Sequence, residues 1–184
     1  MNLANWITMA RIILAPICTG FLLLEFPGHD LGAAILFILG GLTDALDGYI
    51  ARIRKETTTF GKSFDPLADK ILITSVLFVL ALLGHILWVI VWIILGREIL
   101  ITILRHFAGK RGVVVSASIW GKAKTTIQIL AISVVMVGKY WPLPFADYLL
   151  WLAVALTVWS GVDYLWRWRS AFRGIRGNHI NIIQ

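Results

Sequence analysis

Residues Asp44 to Lys70 read DALDGYIARIRKETTTFGKSFDPLADK, and this stretch organises the whole chain. Amid largely apolar surroundings it sets four aspartates in two pairs, Asp44 with Asp47 and Asp65 with Asp69. Written as a pattern it is D-x2-D-G-x2-A-R-x8-G-x3-D-x3-D, with every position filled. On a helix, residues three, four and seven apart share a face. The spacing therefore predicts one helix presenting Asp44, Asp47, Gly48 and Ala51 together and a second presenting Asp65 and Asp69. Two carboxylate pairs facing each other across such a hairpin can hold hard divalent cations through oxygen ligands. Mg2+ and Mn2+ both suit oxygen donors, so the residues do not choose between them.

Outside this stretch the composition sets the class. Of 184 residues, 59% are hydrophobic and 15% charged, with mean hydropathy +0.82. A soluble domain carries far more charge. The chain reads as an all-α polytopic membrane protein, one domain over residues 1–184, since no polar stretch is long enough to make a second. Apolar runs predict six transmembrane helices, at about 8–26, 31–53, 65–83, 86–107, 119–137 and 148–166, each near the length a hydrocarbon core of roughly 30 Å requires. A short N-terminal interfacial segment leads into the first. Pro66 is expected in the first turn of the third span, where its missing N–H costs little. The tail beyond Trp166, RWRSAFRGIRGNHINIIQ, is expected to be surface-bound or frayed. Cys18, the one cysteine, rules out an internal disulfide and reads as a small packed hydrophobe. No cleavable signal peptide stands out, because Arg11 interrupts the first apolar run and no basic leader precedes it.

Orientation follows from the basic residues. Arg52, Arg54, Lys55 and Lys62, then Arg105, Lys110, Arg111, Lys122 and Lys124, then Arg167, Arg169, Arg173 and Arg176 all fall on one predicted side, against Lys139 on the other. The positive-inside rule places that side, with both termini, in the cytoplasm. The net charge of +7 is thus topology rather than a nucleic-acid footprint. Most tryptophans, among them Trp88, Trp92, Trp141, Trp151, Trp166 and Trp168, sit near span ends as an aromatic belt. The four histidines show no ligand spacing.

This topology brings the four aspartates, Arg11, Arg105, Lys122 and Lys124 to similar depth on the cytoplasmic side. Ionisable groups at membrane depth are expensive and mark function. Four carboxylates close together repel in low dielectric, and divalent cations relieve that repulsion. Asn5, Thr8 and Arg11 form a polar stripe on the first helix. Arg97 falls near mid-span and reads either as the partner of a carboxylate or as an anion ligand. Lys122 and Lys124 read either as positive-inside anchors or as ligands. Carboxylate-held metals with Arg and Lys nearby suit displacement at phosphorus. The residues alone reach metal-dependent phosphoryl-type transfer at the inner leaflet.

The stretch from Asp44 to Asp69 resembles the signature of the CDP-alcohol phosphatidyltransferase (phosphotransferase) family. The likeness continues through NWITMAR at Asn5–Arg11, FDPLADK at Phe64–Lys70, REI at Arg97–Ile99, LR at Leu104–Arg105 and WGKAKTTIQ at Trp120–Gln128. These pieces favour the branch of the family whose acceptor is sn-glycerol 3-phosphate. The resemblance implies CDP-diacylglycerol as donor, with phosphatidylglycerophosphate and CMP as products. It implies Asp44, Asp47 and Asp65 as metal ligands, and Asp69 as general base that also touches a metal, with two divalent ions in all. It sets Gly48, Ala51, Arg52 and Gly61 around the cytidine diphosphate, with Asn5, Thr8 and Arg11 closing that pocket. Arg105, Lys122 and Lys124, with Arg97, are the candidates for the acceptor phosphate. A homodimer in the bacterial cytoplasmic membrane is implied, with no nucleic-acid partner.

Two alternatives stand beside this reading. Relatives using inositol phosphate, serine or phosphatidylglycerol share the same aspartates, although a cationic pocket favours a phosphorylated acceptor. An ion-coupled transporter with the aspartates along its path is the rival from another class. The chain shows neither the internal repeats nor the paired broken helices common in transporters.

Overall fold

A computed structural model describes the backbone of residues 3–24, 26–54, 59–110, 119–138 and 145–178, and the side chains of residues 9–24, 26–43, 70–110, 120–121, 123–138 and 145–169. Six helices make up the described chain: α1 (Leu3–Leu23), α2 (His29–Arg54), α3 (Thr59–Leu82), α4 (Trp88–Lys110), α5 (Ile119–Val137) and α6 (Ala146–Asn178). No strand occurs among the described residues.

Three boundaries differ from expectation. The N-terminal segment is not separate but forms the first turns of α1. The third helix starts at Thr59, so Pro66 lies beyond its first turn and withholds one bond from the Lys62 carbonyl. The tail is helical through Asn178. In each case the apolar run marks only part of the helix. Extending an existing helix through polar residues costs little compared with nucleating one.

Among the described residues one segment, Ala146–Arg169, is long and apolar enough to cross a membrane, with mean hydropathy 1.4. Shorter apolar segments run Met9–Leu23, His29–Thr43, Lys70–Leu82 and Ala123–Val137.

The helices close into a ring. Each has two principal neighbours, in the order α1–α3–α4–α6–α5–α2 and back to α1, with lesser contacts of α3 to α2 and α5 across the middle. Small residues let α1 and α2 approach: Ala15 and Cys18 pack on Ala33 and Ala34, and the Cys18 thiol donates to the Ala33 carbonyl at 3.3 Å. Cys18 is fully buried and unbridged. Phe37, Leu72, Val76 and Leu80 continue the core toward Ile90, Ile94, Ile132 and Met136. Two glycines set the spacing around α2. A Cβ at Gly40 would stand 2.6 Å from Leu72 Cδ2 on α3, and one at Gly41 would stand 2.7 Å from Ile129 Cδ1 on α5.

The turns are equally specified. Gly84, at φ +76°, ends α3 in a Schellman arrangement, with the His85 N–H donating to the Leu80 carbonyl and the Gly84 N–H to Ala81. At the start of α2, His29 Nδ1 meets the Phe21 carbonyl at 3.0 Å and Asp30 Oδ1 at 3.1 Å, which ties α2 to α1.

Candidate active site

The signature spans the end of α2 and the start of α3. Asp44 and Asp47 lie on α2, and Asp65 and Asp69 lie on α3. Both segments are helical, so each aspartate pair is separated by about one turn. The side chains of all four aspartates, and those of Asn5, Thr8, Gly48, Ala51, Arg52, Gly61 and Lys122, lie outside the residues whose side chains are described. Among the described residues no three potential metal ligands come together.

Directly deeper lies a cavity of about 30 Å³, lined by Arg11, Phe37, Gly40, Gly41, Leu72, Ile73, Thr125 and Ile129. Its glycine wall is one turn before Asp44. Its Leu72–Ile73 wall is one turn after Asp69. The cavity is thus the floor beneath the signature, where α1, α2, α3 and α5 meet. Arg11 reaches it from α1 and is 2% exposed. A guanidinium held that deep is costly to bury without polar partners.

Beside this floor the structure assembles a cluster that spacing alone did not reveal. Glu98 of α4 is its centre. Its Oε1 accepts from Arg97 Nη1 at 3.0 Å and also from Lys124 Nζ of α5. Arg97 Nη2 donates to Ser160 Oγ of α6 at 3.0 Å, and Ser160 donates onward to the Thr157 carbonyl. Lys70 of α3 donates to Thr102 Oγ1, and Thr102 donates to the Glu98 carbonyl at 2.6 Å. Four helices therefore contribute to one hydrogen-bonded cluster around Glu98. Lys70 directly follows Asp69, so the cluster stands at the level of the signature. Thr125, next to Lys124, lines the cavity, so the two features adjoin.

The balance of charge is uneven. Arg97 and Lys124 share the one carboxylate of Glu98, two cations to one anion at that point. Lys124 is 5% exposed, and Arg97 Nε is buried with no hydrogen-bond partner among the described residues. Like charges held this close repel in low dielectric, and the Glu98 carboxylate between them offsets part of that repulsion. Of the four residues expected at the acceptor phosphate, Arg97 and Lys124 are brought together here. Arg105 is not. It sits toward the end of α4 with its guanidinium carbon 5.9 Å from the centre of the Tyr164 ring of α6.

Lys70, Glu98, Thr102 and Ser160 were not singled out as candidates from the sequence. Lys70 lies inside the FDPLADK motif and Glu98 inside REI, which was the available signal. Thr102 and Ser160 carried none.

Helices bearing two aspartate pairs, over a small cavity and beside paired cations, carry the signature of enzymes that transfer phosphate esters. The sequence profile of the CDP-alcohol phosphatidyltransferase family matches residues 1–159, and the chain belongs to that family. Among similar proteins is the CDP-diacylglycerol–glycerol-3-phosphate 3-phosphatidyltransferase of Bacillus subtilis (strain 168), 40% identical over 180 residues, covering 89% of this chain and 93% of that one. The enzyme of the same name from Haemophilus influenzae is 35% identical over 170 residues, covering 89% and 91%. A probable phosphatidylglycerophosphate synthase of Mycobacterium tuberculosis (strain ATCC 25618 / H37Rv) is 39% identical over 182 residues, covering 95% and 85%.

Proposed function

We propose that this chain is a CDP-diacylglycerol–glycerol-3-phosphate 3-phosphatidyltransferase. A hydroxyl oxygen of sn-glycerol 3-phosphate attacks the phosphorus bearing the diacylglycerol. The bond from that phosphorus to the bridging oxygen breaks, and CMP departs with the electron pair. Phosphatidylglycerophosphate is the other product. The observation that carries this reading is similarity along nearly the whole chain to enzymes bearing that name, around a completely filled signature.

The donor set suits the reaction. Asp44, Asp47, Asp65 and Asp69 offer only carboxylate oxygens, which fit Mg2+ or Mn2+ and exclude softer preferences. Two such ions, the number the resemblance implies, would neutralise charge at phosphorus and acidify the attacking hydroxyl when bound. Asp69 takes the hydroxyl proton on a carboxylate oxygen; a carboxylate is a weak base, and acidification of its partner makes the transfer practicable. Gly48, Ala51, Arg52 and Gly61, with Asn5, Thr8 and Arg11, bind the cytidine diphosphate. Arg97, Lys122 and Lys124, with Arg105, bind the acceptor phosphate, and the cationic excess around Glu98 supports that assignment for Arg97 and Lys124.

The same reading sets all six helices across a bacterial cytoplasmic membrane as a homodimer, with the site and both termini cytoplasmic. Supporting this, Ile13 and Ile17 of α1, Ile35 and Leu39 of α2, Trp92 and Ile103 of α4 and Leu152, Val158 and Val162 of α6 are exposed on the outer surface. That much outward apolar surface exceeds what a soluble monomer tolerates.

The test is CMP release by purified protein in detergent with CDP-diacylglycerol and Mg2+, offering glycerol 3-phosphate, inositol phosphate, serine or phosphatidylglycerol. Release with glycerol 3-phosphate alone is expected. Release with another acceptor instead moves the enzyme within its family.

A further inference from the structure

We propose that Glu98 is a positioning residue for the acceptor's phosphate, a shared counter-charge that fixes Lys124 and Arg97 in one geometry while leaving the cluster short of negative charge. The proposal rests on the acceptor being glycerol 3-phosphate, as above, and assigns to Glu98 a role distinct from touching the substrate.

The geometry argues as follows. Lys124 and Arg97 come from different helices, α5 and α4, and both donate to the same oxygen, Glu98 Oε1. Without that oxygen the two cations face each other in a buried place, and repulsion would splay them. Arg97 is held at both ends of its guanidinium, by Glu98 at Nη1 and by Ser160 at Nη2. Its stem also lies over Gly161, where a Cβ would stand 3.3 Å from Arg97 Cγ. A side chain fixed at three points has surrendered its rotamer freedom before any ligand arrives. Binding then avoids the entropy cost of ordering such a side chain.

The remaining donors decide what the held cations can do. Glu98 occupies one N–H of the Lys124 ammonium, which has three. Arg97 Nε has no hydrogen-bond partner among the described residues. A tetrahedral oxyanion such as a phosphate monoester, with several acceptor oxygens, suits cations held apart in this way. Lys70 of α3 joins the same level separately, through Thr102, whose hydroxyl bonds the Glu98 main-chain carbonyl. The carboxylate itself sets the spacing of the α4 and α5 cations.

A supporting residue and a merely structural one differ in what they change. Loss of positioning weakens the phosphorylated acceptor specifically. Loss of packing lowers stability and harms both substrates alike. Initial rates of CMP release are measured for the wild-type full chain in detergent, and for Glu98→Gln, Glu98→Ala, Ser160→Ala, Lys124→Ala and the Glu98→Ala/Lys124→Ala pair. Glycerol 3-phosphate and CDP-diacylglycerol are varied in turn, and thermal unfolding is followed in parallel.

Glu98→Gln keeps an acceptor oxygen and removes the charge, so it is the variant best placed to fold. It is expected to raise KM for glycerol 3-phosphate about tenfold, in the range typical of supporting polar partners, with KM for CDP-diacylglycerol within about twofold of wild type. Ser160→Ala is expected to raise the same KM about threefold, because Glu98 still holds Arg97. Glu98→Ala and Lys124→Ala are expected to be markedly non-additive, since they disable one unit. An unchanged or lower KM for glycerol 3-phosphate in folded Glu98→Gln overturns the proposal. A lower value would mean that the carboxylate only competes with the phosphate. Equal losses toward both substrates overturn it too. A wild-type chain that releases no CMP with glycerol 3-phosphate overturns the functional reading itself, and this proposal with it, so the two failures are told apart by the wild-type arm.

Discussion

Replacing Gly40 with alanine tests whether the spacing of α2 and α3 sets the catalytic geometry. The new methyl would stand 2.6 Å from Leu72 Cδ2 and 3.9 Å from Leu72 Cγ. Carbon atoms in good contact sit about 3.5–4.0 Å apart, so roughly 1 Å of relief is needed. Leu72 is 2% exposed and has little room to swing. Part of the relief comes from an off-rotamer side chain, at about 0.5–1.5 kcal/mol. The rest separates the two helices, and overpacking of this kind costs about 1–3 kcal/mol in all. Gly40 lies one turn before Asp44, and Leu72 one turn after Asp69, so the separation passes directly to the carboxylate pairs. A misplacement of about 1 Å can cost a hundredfold in rate. With the strain shared, kcat is expected to fall about 10- to 100-fold. The assay is CMP release at saturating substrates and Mg2+, with thermal unfolding measured on the same samples. Adding Leu72→Val removes the clashing Cδ2 and should restore most of kcat. Wild-type turnover in Gly40→Ala, or failure of Leu72→Val to rescue it, would refute the reasoning.

Further outcomes follow from the same site. Asp44→Asn, Asp47→Asn, Asp65→Asn and Asp69→Asn should each remove most CMP release while leaving helical circular dichroism intact; normal turnover in Asp65→Asn would remove it from the metal ligands. Chelation with EDTA should abolish activity, and excess Mg2+ or Mn2+ should restore it, read as CMP released before and after addition. Lys124→Ala should raise KM for glycerol 3-phosphate at least tenfold, about 1.4 kcal/mol of binding, and leave KM for CDP-diacylglycerol nearly unchanged. Gly84→Ala should lower stability by about 1 kcal/mol through its left-handed backbone, with no steric neighbour involved, and its kcat should match wild type.

The sequence made the helices legible where apolar runs were long, and the ends legible where a breaker stood. Gly84 and the Pro27–Gly28 turn are such places. Thr59–Phe64 and Arg167–Asn178 are polar, and polarity marks a departure from apolar surroundings rather than the end of a helix, so α3 and α6 proved longer than their apolar parts. The signature could be read directly because its residues recur within a turn or two of one another. The Glu98 cluster could not. Lys124 is 26 residues from Glu98, and Ser160 is 63 from Arg97. Their meeting depends on which helices are neighbours, and sequence order does not disclose that. Arg97 shows the same limit: its two readings, partner of a carboxylate or ligand of an anion, are compatible once Glu98 is seen to use only part of its guanidinium.

The order of helices around the ring has a consequence for biogenesis. Among the described residues α4 and α5 follow each other in sequence yet share no close backbone approach, because α6 stands between them. During synthesis α1, α2 and α3 can pack together early, carrying the full signature. Glu98 can hold Arg97 and Lys124 once α5 is present, but Ser160, the second hold on Arg97, comes only with α6. A nascent chain stopped before α6 would therefore carry the aspartates and the Glu98 pairings while the ring between α4 and α5 stood open.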